Sequence, residues 1–311
     1  MSDAPILTLK DVQKKYSRKG KNVLQDISFS VSAGEIVGIL GNNGSGKTTL
    51  IKTILGLLEA DKGTILFDGK NSSKIKKKAY YTDVTAVLEG ERNLYWFMSA
   101  MENILYSGRL KGLKDADIKK QAMEYLEMFT LLQEKDTKVG DMSRGMQQKL
   151  SLIISLLGNP RLILLDDPTL GLDIMAKRDL ISCLKNLAKE KNTAVLITSH
   201  QTDVIDETVE RIILIDKNRI CFDGSTLEFK RAYSKKKTSI CILGQADDFI
   251  KKNFITRQNA DSFEITTESN SQKELLALLQ TLSQNGYEIL SFMQDSASLE
   301  DILMNFYKRS N

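Results

Sequence analysis

Gly41-Asn42-Asn43-Gly44-Ser45-Gly46-Lys47-Thr48 follows an apolar run at 35–40 (EIVGIL) and opens a helical pattern over 47–58. The stretch fits G-x-x-x-x-G-K-[ST], in the strand–loop–helix setting that gives this spacing its chemistry. The glycines let successive backbone N–H groups turn inward around phosphate oxygens, and the helix N-terminus adds partial positive charge. Lys47 is then placed to reach the β- and γ-phosphates and Thr48 to ligate Mg2+. A plain Gly-rich turn capping a strand is the alternative, and the strand–loop–helix context weighs against it. The expected nucleotide-binding set is Gly41, Asn42, Asn43, Gly44, Ser45, Gly46, Lys47, Thr48 and Thr49.

Outward from this loop, short apolar runs alternate with helical patterns. Residues 162–166 (LILLD), 194–199 (AVLITS) and 212–216 (IILID) read as buried parallel strands, with helices expected over 175–190 and 203–207. This alternation predicts an α/β core. Segments 6–12, 23–31, 64–68 and 219–223 read as shorter strands of a small antiparallel sheet beside it. Residues 99–158 are mostly helical in pattern, with apolar stripes through Met123, Leu126 and Phe129 and through Leu150, Ile153, Ile154 and Leu157. A helical lobe inserted between two core strands is expected there. Beyond a charged run at 234–237 (SKKK), the order strand-helix-strand-strand-helix-strand plus a closing helix predicts a second small α/β domain of split βαβ type. The expected domains are 1–232 and 238–311.

A phosphate loop needs a further metal anchor. Asp166, at the end of the strand 162–166, offers a carboxylate for Mg2+, and Asp167 follows at the strand mouth. Asp-Asp-Pro is also a common turn starter, but its place after a buried strand, beside a phosphate loop, favours the metal. The chain has 311 residues, with Lys+Arg 44 against Asp+Glu 40. So small an excess does not mark a nucleic-acid binder, though it suits an anionic surface or a polyphosphate. Cys183, Cys221 and Cys241 cannot all pair and show no metal spacing, which favours a reducing compartment. No signal peptide is read at the N-terminus, and no apolar run reaches the ~18–20 residues a membrane span requires.

Ser143-Arg144-Gly145-Met146-Gln147-Gln148 precedes the 162–166 strand. Together with the phosphate loop and Asp166, it resembles the signature motif of ATP-binding-cassette (ABC) ATPases. Leu170-Gly171-Leu172-Asp173 resembles their D-loop, His200 their switch histidine and Tyr16 the aromatic that stacks on adenine. The resemblance covers residues 5–230. It implies a P-loop NTPase core with antiparallel β and helical subdomains, and ATP with Mg2+ as ligands. It further implies head-to-tail pairing with a second ABC subunit, a homodimer being expected. In such a pair Ser143, Arg144, Gly145 and Met146 complete the opposite site, and Asp173 is the implied D-loop aspartate. Lys47, Asp167 and His200 are the implied catalytic residues, and Thr48, Asp166 and Glu89 the implied metal ligands. The implied partner is an integral-membrane permease, which places the chain at the cytoplasmic face of the membrane.

Three departures from the family pattern stand out. Asp167 occupies the position of the glutamate that orients or deprotonates the attacking water. Arg144 and Met146 replace the usual Gly and Gln, a form similar to that of exporters of the ABC-2 type with separately encoded membrane subunits. Glu89 or Glu91 stands where the Q-loop glutamine is expected. Tyr95-Trp96-Phe97 fits either the core of the lobe or a docking site for a membrane partner. The lysines at 74, 76, 77 and 78 read chiefly as a solvated face. The expected function is an ATP-hydrolysing subunit of a transporter, with a soluble or regulatory ABC ATPase, slowed by Asp167, as the alternative.

Overall fold

Apolar runs without alternation belong in strands covered on both faces, and the computed structural model places them there. It describes residues 4–17, 20–88, 94–169, 172–199, 202–233, 237–259, 261–268, 272–295 and 298–310. The chain divides into two units, Met1–Thr226 and Leu227–Asn311. The first begins with β1 (Leu7–Lys15), β2 (Asn22–Val31), β3 (Ile36–Gly41), α1 (Lys47–Ile54), β4 (Lys62–Phe67) and β5 (Lys70–Asn71). Next come α2 (Lys77–Asp83), β6 (Val84–Val87), α3 (Ala100–Leu110), α4 (Asp115–Met128) and α5 (Arg144–Leu156). It closes with β7 (Leu162–Asp166), α6 (Ile174–Lys191), β8 (Ala194–Thr198), α7 (Thr202–Thr208), β9 (Arg211–Asp216) and β10 (Arg219–Ser225).

The main sheet runs β10-β9-β3-β8-β7-β6 and is parallel except for β10. β2-β1-β4-β5 form a separate antiparallel sheet. One core runs from Leu7, Leu9 and Leu24 of the small sheet, through Leu50, Ile51 and Ile54 of α1, to Ile39, Leu164 and Leu196 of the main sheet. Burying each such side chain contributes about 1.5–3 kcal/mol. α1 is therefore held from both sides, and with it the loop that precedes it.

Two assignments from sequence change. The strand at 219–223 does not join the small sheet; as β10 it forms the antiparallel edge of the main sheet, paired with β9. The helix after the phosphate loop ends at Ile54 rather than 58, because Gly56 takes φ +72 and the amide of Leu57 turns back to the carbonyl of Lys52. The structure also adds α2, β5 and the core strand β6, which the sequence reading did not name.

The inserted lobe consists of α3, α4 and α5. Ser99 and Glu102 form a capping box at the start of α3. In α4 the buried stripe is Ile118, Ala122, Tyr125 and Leu126, while Met123, expected in the stripe, is exposed. Lys111 Nζ donates to the carbonyls of Ile154, Ser155 and Leu157 at 2.9, 3.0 and 3.0 Å, which caps the C-terminal end of α5. Burial pushes the pKa of this ammonium down to about 8.

The second unit starts with α8 (Thr226–Tyr233), whose first residue closes the first unit. It continues with β11 (Lys237–Leu243), α9 (Asp248–Asn253), β12 (Ile255–Gln258), β13 (Ser262–Glu268), α10 (Gln272–Gln284), β14 (Ile289–Asp295) and α11 (Leu299–Ser310). Its strands pair antiparallel in the order β12-β13-β11-β14. Ile240, Ile242, Phe263 and Ile265 alternate onto one face and pack with Ile250, Leu275 and Leu282 of the helices. This is the β-α-β-β-α-β arrangement.

Candidate functional site

Parallel strands end at a common rim, and the loops at their carboxyl ends are where α/β folds place ligands. β3, β8 and β7 are neighbours in the sheet. Their ends bring the phosphate loop, Thr198 and the pair Asp166–Asp167 together, with Thr198 in register with Ile39 on one side and Asp166 on the other.

After Gly41 the loop turns through a bond from the Ser45 amide to the Asn42 carbonyl, 3.1 Å. Gly46 caps α1 with φ +103, a conformation open to glycine, and a Cβ there would meet the Val23 carbonyl oxygen. Asn42, Asn43, Gly44 and Thr48 are exposed, whereas Ser45, Lys47 and Thr49 are buried. Lys47 Nζ curls back over the loop and donates to the carbonyls of Gly41 (2.8 Å) and Asn42 (3.2 Å). Tyr16, at the end of β1, has an exposed ring, and its hydroxyl shares a 2.9 Å hydrogen bond with Thr49 Oγ1. The expected adenine-stacking aromatic is thus tied to α1 one residue after Thr48.

Asp166 is 2% exposed. Its Oδ1 accepts from the Thr198 hydroxyl at 2.7 Å, while Oδ2 is buried with no hydrogen-bond partner among the described residues. Such an oxygen is costly unless something satisfies it. Ser45 Oγ, in the loop, is likewise buried without a partner among the described residues. One carboxylate and one hydroxyl beside phosphate groups suit Mg2+, which favours one or two protein ligands plus substrate oxygens; Asp166 and Thr48 fit it. Asp167 has φ +47, and its amide donates to Thr198 O (3.1 Å) and Thr198 Oγ1 (3.2 Å).

Sequence reasoning missed Thr198. The only available signal was a hydroxyl closing the otherwise apolar strand AVLIT.

The signature residues are placed by the lobe rather than by the sheet. Ser143 caps α5, its Oγ accepting from the Met146 amide at 3.2 Å, and Ser143 and Arg144 are exposed. Asp173 caps α6, accepting from the Ala176 amide at 2.8 Å. The two helix starts touch: a Cβ on Gly145 would lie 3.1 Å from Ala176 Cβ. Glu89, Glu91, Leu170, Gly171 and His200 lie outside the described residues.

Tyr95, Trp96 and Phe97 do not form the lobe core. Trp96 and Phe97 are 72% and 58% exposed, in edge-to-face contact at 5.9 Å, and Tyr95 packs on Tyr106 at 4.9 Å. Asn103, buried in α3, fixes the segment by accepting from the Tyr95 amide and donating to its carbonyl. A groove of about 380 Å³, lined by Leu57, Tyr81, Val87, Leu88, Leu94 and Ile154, lies beside it.

A family profile described as ABC transporter matches residues 24–170. The chain is 33% identical over 226 residues to the ABC transporter ATP-binding protein NatA of Bacillus subtilis, covering 71% of this chain and 89% of NatA. It is 26% identical over 317 residues to the linearmycin resistance ATP-binding protein LnrL of B. subtilis, covering 98% of this chain and 99% of LnrL. Among solved structures, the dimeric post-hydrolysis state of the ATP-binding cassette MJ0796, bound to ADP and Pi, aligns with a TM-score of 0.63 at 26% identity. That alignment covers 70% of this chain and 98% of MJ0796.

Proposed function

The chain belongs to the ABC transporter ATP-binding proteins, ATPases whose hydrolysis is coupled to transport, and from that premise we propose that it drives an exporter whose permease is a separate membrane protein. The observation that carries the hydrolytic part is the buried Asp166 Oδ2, without a partner among the described residues, at the rim that also holds Lys47 and Asp167. The form Ser-Arg-Gly-Met supports export, and the match over 98% of this chain to a protein named for linearmycin resistance fits removal of a toxic compound. The exposed Trp96 and Phe97 support a docked membrane partner. Among the described residues no helix is long and apolar enough to cross a membrane, so the membrane path falls to that partner. A soluble or regulatory role is not favoured, since NatA is named as an ABC transporter ATP-binding protein.

In this mechanism the loop amides and Lys47 hold the β- and γ-phosphates. Thr48 and Asp166 would hold Mg2+, which would neutralise phosphate charge when bound. Asp167 receives the proton of the attacking water, and the products are ADP and phosphate. Ser143 and Gly145 of a second copy close over the γ-phosphate, an anion facing a helix N-terminus. MJ0796 was solved as a dimer with the product pair, which supports this pairing here.

Two measurements test the reading. With a slowly hydrolysed ATP analogue, size exclusion should show a dimer for the wild type and a monomer for Ser143→Arg, with nucleotide affinity of the monomer unchanged. Losing the cap costs only about 0.5–2 kcal/mol, so the variant should stay folded. A dimer that forms equally well without nucleotide counts against the sandwich. Separately, the tagged chain should be recovered from membranes with a multi-span protein, and Trp96→Ser with Phe97→Ser should release it while leaving ATP binding intact. Equal recovery of that variant removes the aromatic cluster from the interface.

A further inference from the structure

β8 is buried throughout, and four of its five residues, Ala194, Val195, Leu196 and Ile197, are apolar. The fifth, Thr198, is 0% exposed and carries a hydroxyl into that interior. A buried hydroxyl is unfavourable unless it is bonded, and this one is bonded to both acids of the site. Its proton goes to Asp166 Oδ1 at 2.7 Å; the carbonyl of Leu165, at 3.5 Å, is a poor rival. A lone pair accepts the amide of Asp167 at 3.2 Å, an amide that the carbonyl of Thr198 also accepts, at 3.1 Å.

We propose that Thr198 is a positioning residue for ATP hydrolysis, one hydroxyl setting the Asp166 carboxylate and the Asp167 backbone at once. With Oδ1 engaged, the Asp166 carboxylate cannot rotate freely, and Oδ2 is the oxygen left for a cation. With its amide shared between two acceptors of the same residue, the peptide plane leading into Asp167, whose φ is +47, is fixed. The inference rests on Asp166 being the magnesium carboxylate. It adds that the strand between the phosphate loop and the acidic pair supplies that carboxylate's orientation. Packing alone would be served as well by valine, which has threonine's shape without its hydroxyl.

Two substitutions separate the roles. Thr198→Val keeps the shape and loses the hydroxyl, whereas Thr198→Ser keeps the hydroxyl and loses a methyl. The readout is binding of a fluorescent ATP analogue, in EDTA and across a Mg2+ titration, alongside thermal unfolding of each variant. Loss of a group that orients a metal ligand typically costs about 10–100-fold in metal affinity. For Thr198→Val we therefore expect the half-saturating Mg2+ concentration to rise by about that factor, with binding in EDTA unchanged; Thr198→Ser should follow the wild type. The reverse ranking, with serine impaired and valine normal, overturns the proposal in favour of packing. Asp166→Asn is the control. If it raises the Mg2+ requirement and Thr198→Val does not, the role of Thr198 falls while the magnesium reading stands. If neither raises it, the magnesium reading of Asp166 falls and takes this inference with it.

Discussion

Lys47→Ala should abolish ATP turnover and weaken nucleotide binding by one to two orders of magnitude. The ammonium already lies across the loop, held by the carbonyls of Gly41 and Asn42. A triphosphate offers those donors anionic oxygens instead of neutral ones. A hydrogen bond to a charged group contributes about 1.5–3 kcal/mol, which sets the expected loss of affinity. The effect on rate is larger, because charge moves toward the bridging and terminal oxygens in the transition state. Removing a single donor aimed at developing charge costs about 10²–10³ in kcat. The fold should survive, since Leu50, Ile51 and Ile54 still anchor α1 and alanine is a strong helix former. Phosphate release and fluorescence titration, run beside a thermal melt, check all three statements. Full activity in this variant would remove the basis for reading the loop as a nucleotide site.

Local chemistry is what the sequence made legible. The phosphate loop, Asp166–Asp167 and the Ser143 cap each depend on a few adjacent residues, and their placement on strand ends and helix starts follows from strand and helix periods. What depends on register was harder to read. β10 alternates exposed and half-buried positions, a pattern equally suited to the small sheet or to an edge of the large one. The deciding signal was the turn: Lys217 and Asn218 both take positive φ, at 45° and 69°, as a two-residue hairpin requires, and this pins β10 to β9. Thr198 was invisible for a similar reason. A threonine ending an apolar strand is unremarkable until the pairing of β7 with β8 sets it opposite Asp166. Tyr95-Trp96-Phe97 has no period at all, so only tertiary context, with Asn103 gripping the backbone while the rings stay outside, separates surface from core.

Asp167→Asn should lose about 10²–10⁴ in turnover, the usual contribution of a positioned general base, while ATP remains bound. The attacking water must lie in line with the γ-phosphate, with the base within ~2.6–3.2 Å of it. An aspartate in a position the family fills with glutamate is one methylene short, and a misplacement of ~1 Å can cost about 10²-fold. The side chain therefore works only if the backbone supplies the difference. Two features of the structure support that: the left-handed φ of +47 at Asp167 and the double anchor of its amide on Thr198. Aspartate enters this region more readily than most residues, and the double anchor fixes the peptide plane that leads into it. A backbone adjusted to aspartate has no room to gain from a longer acid. Asp167→Glu should accordingly turn over no faster than the wild type, because its carboxylate overshoots the water by about the bond length that aspartate lacked. Steady-state ATP turnover of the three proteins, measured in the assembled transporter, decides the matter. If Asp167→Asn matches the wild type and Asp167→Glu is much faster, then Asp167 is not the base, the native site is a slow one, and it serves to hold a closed dimer rather than to place a proton acceptor.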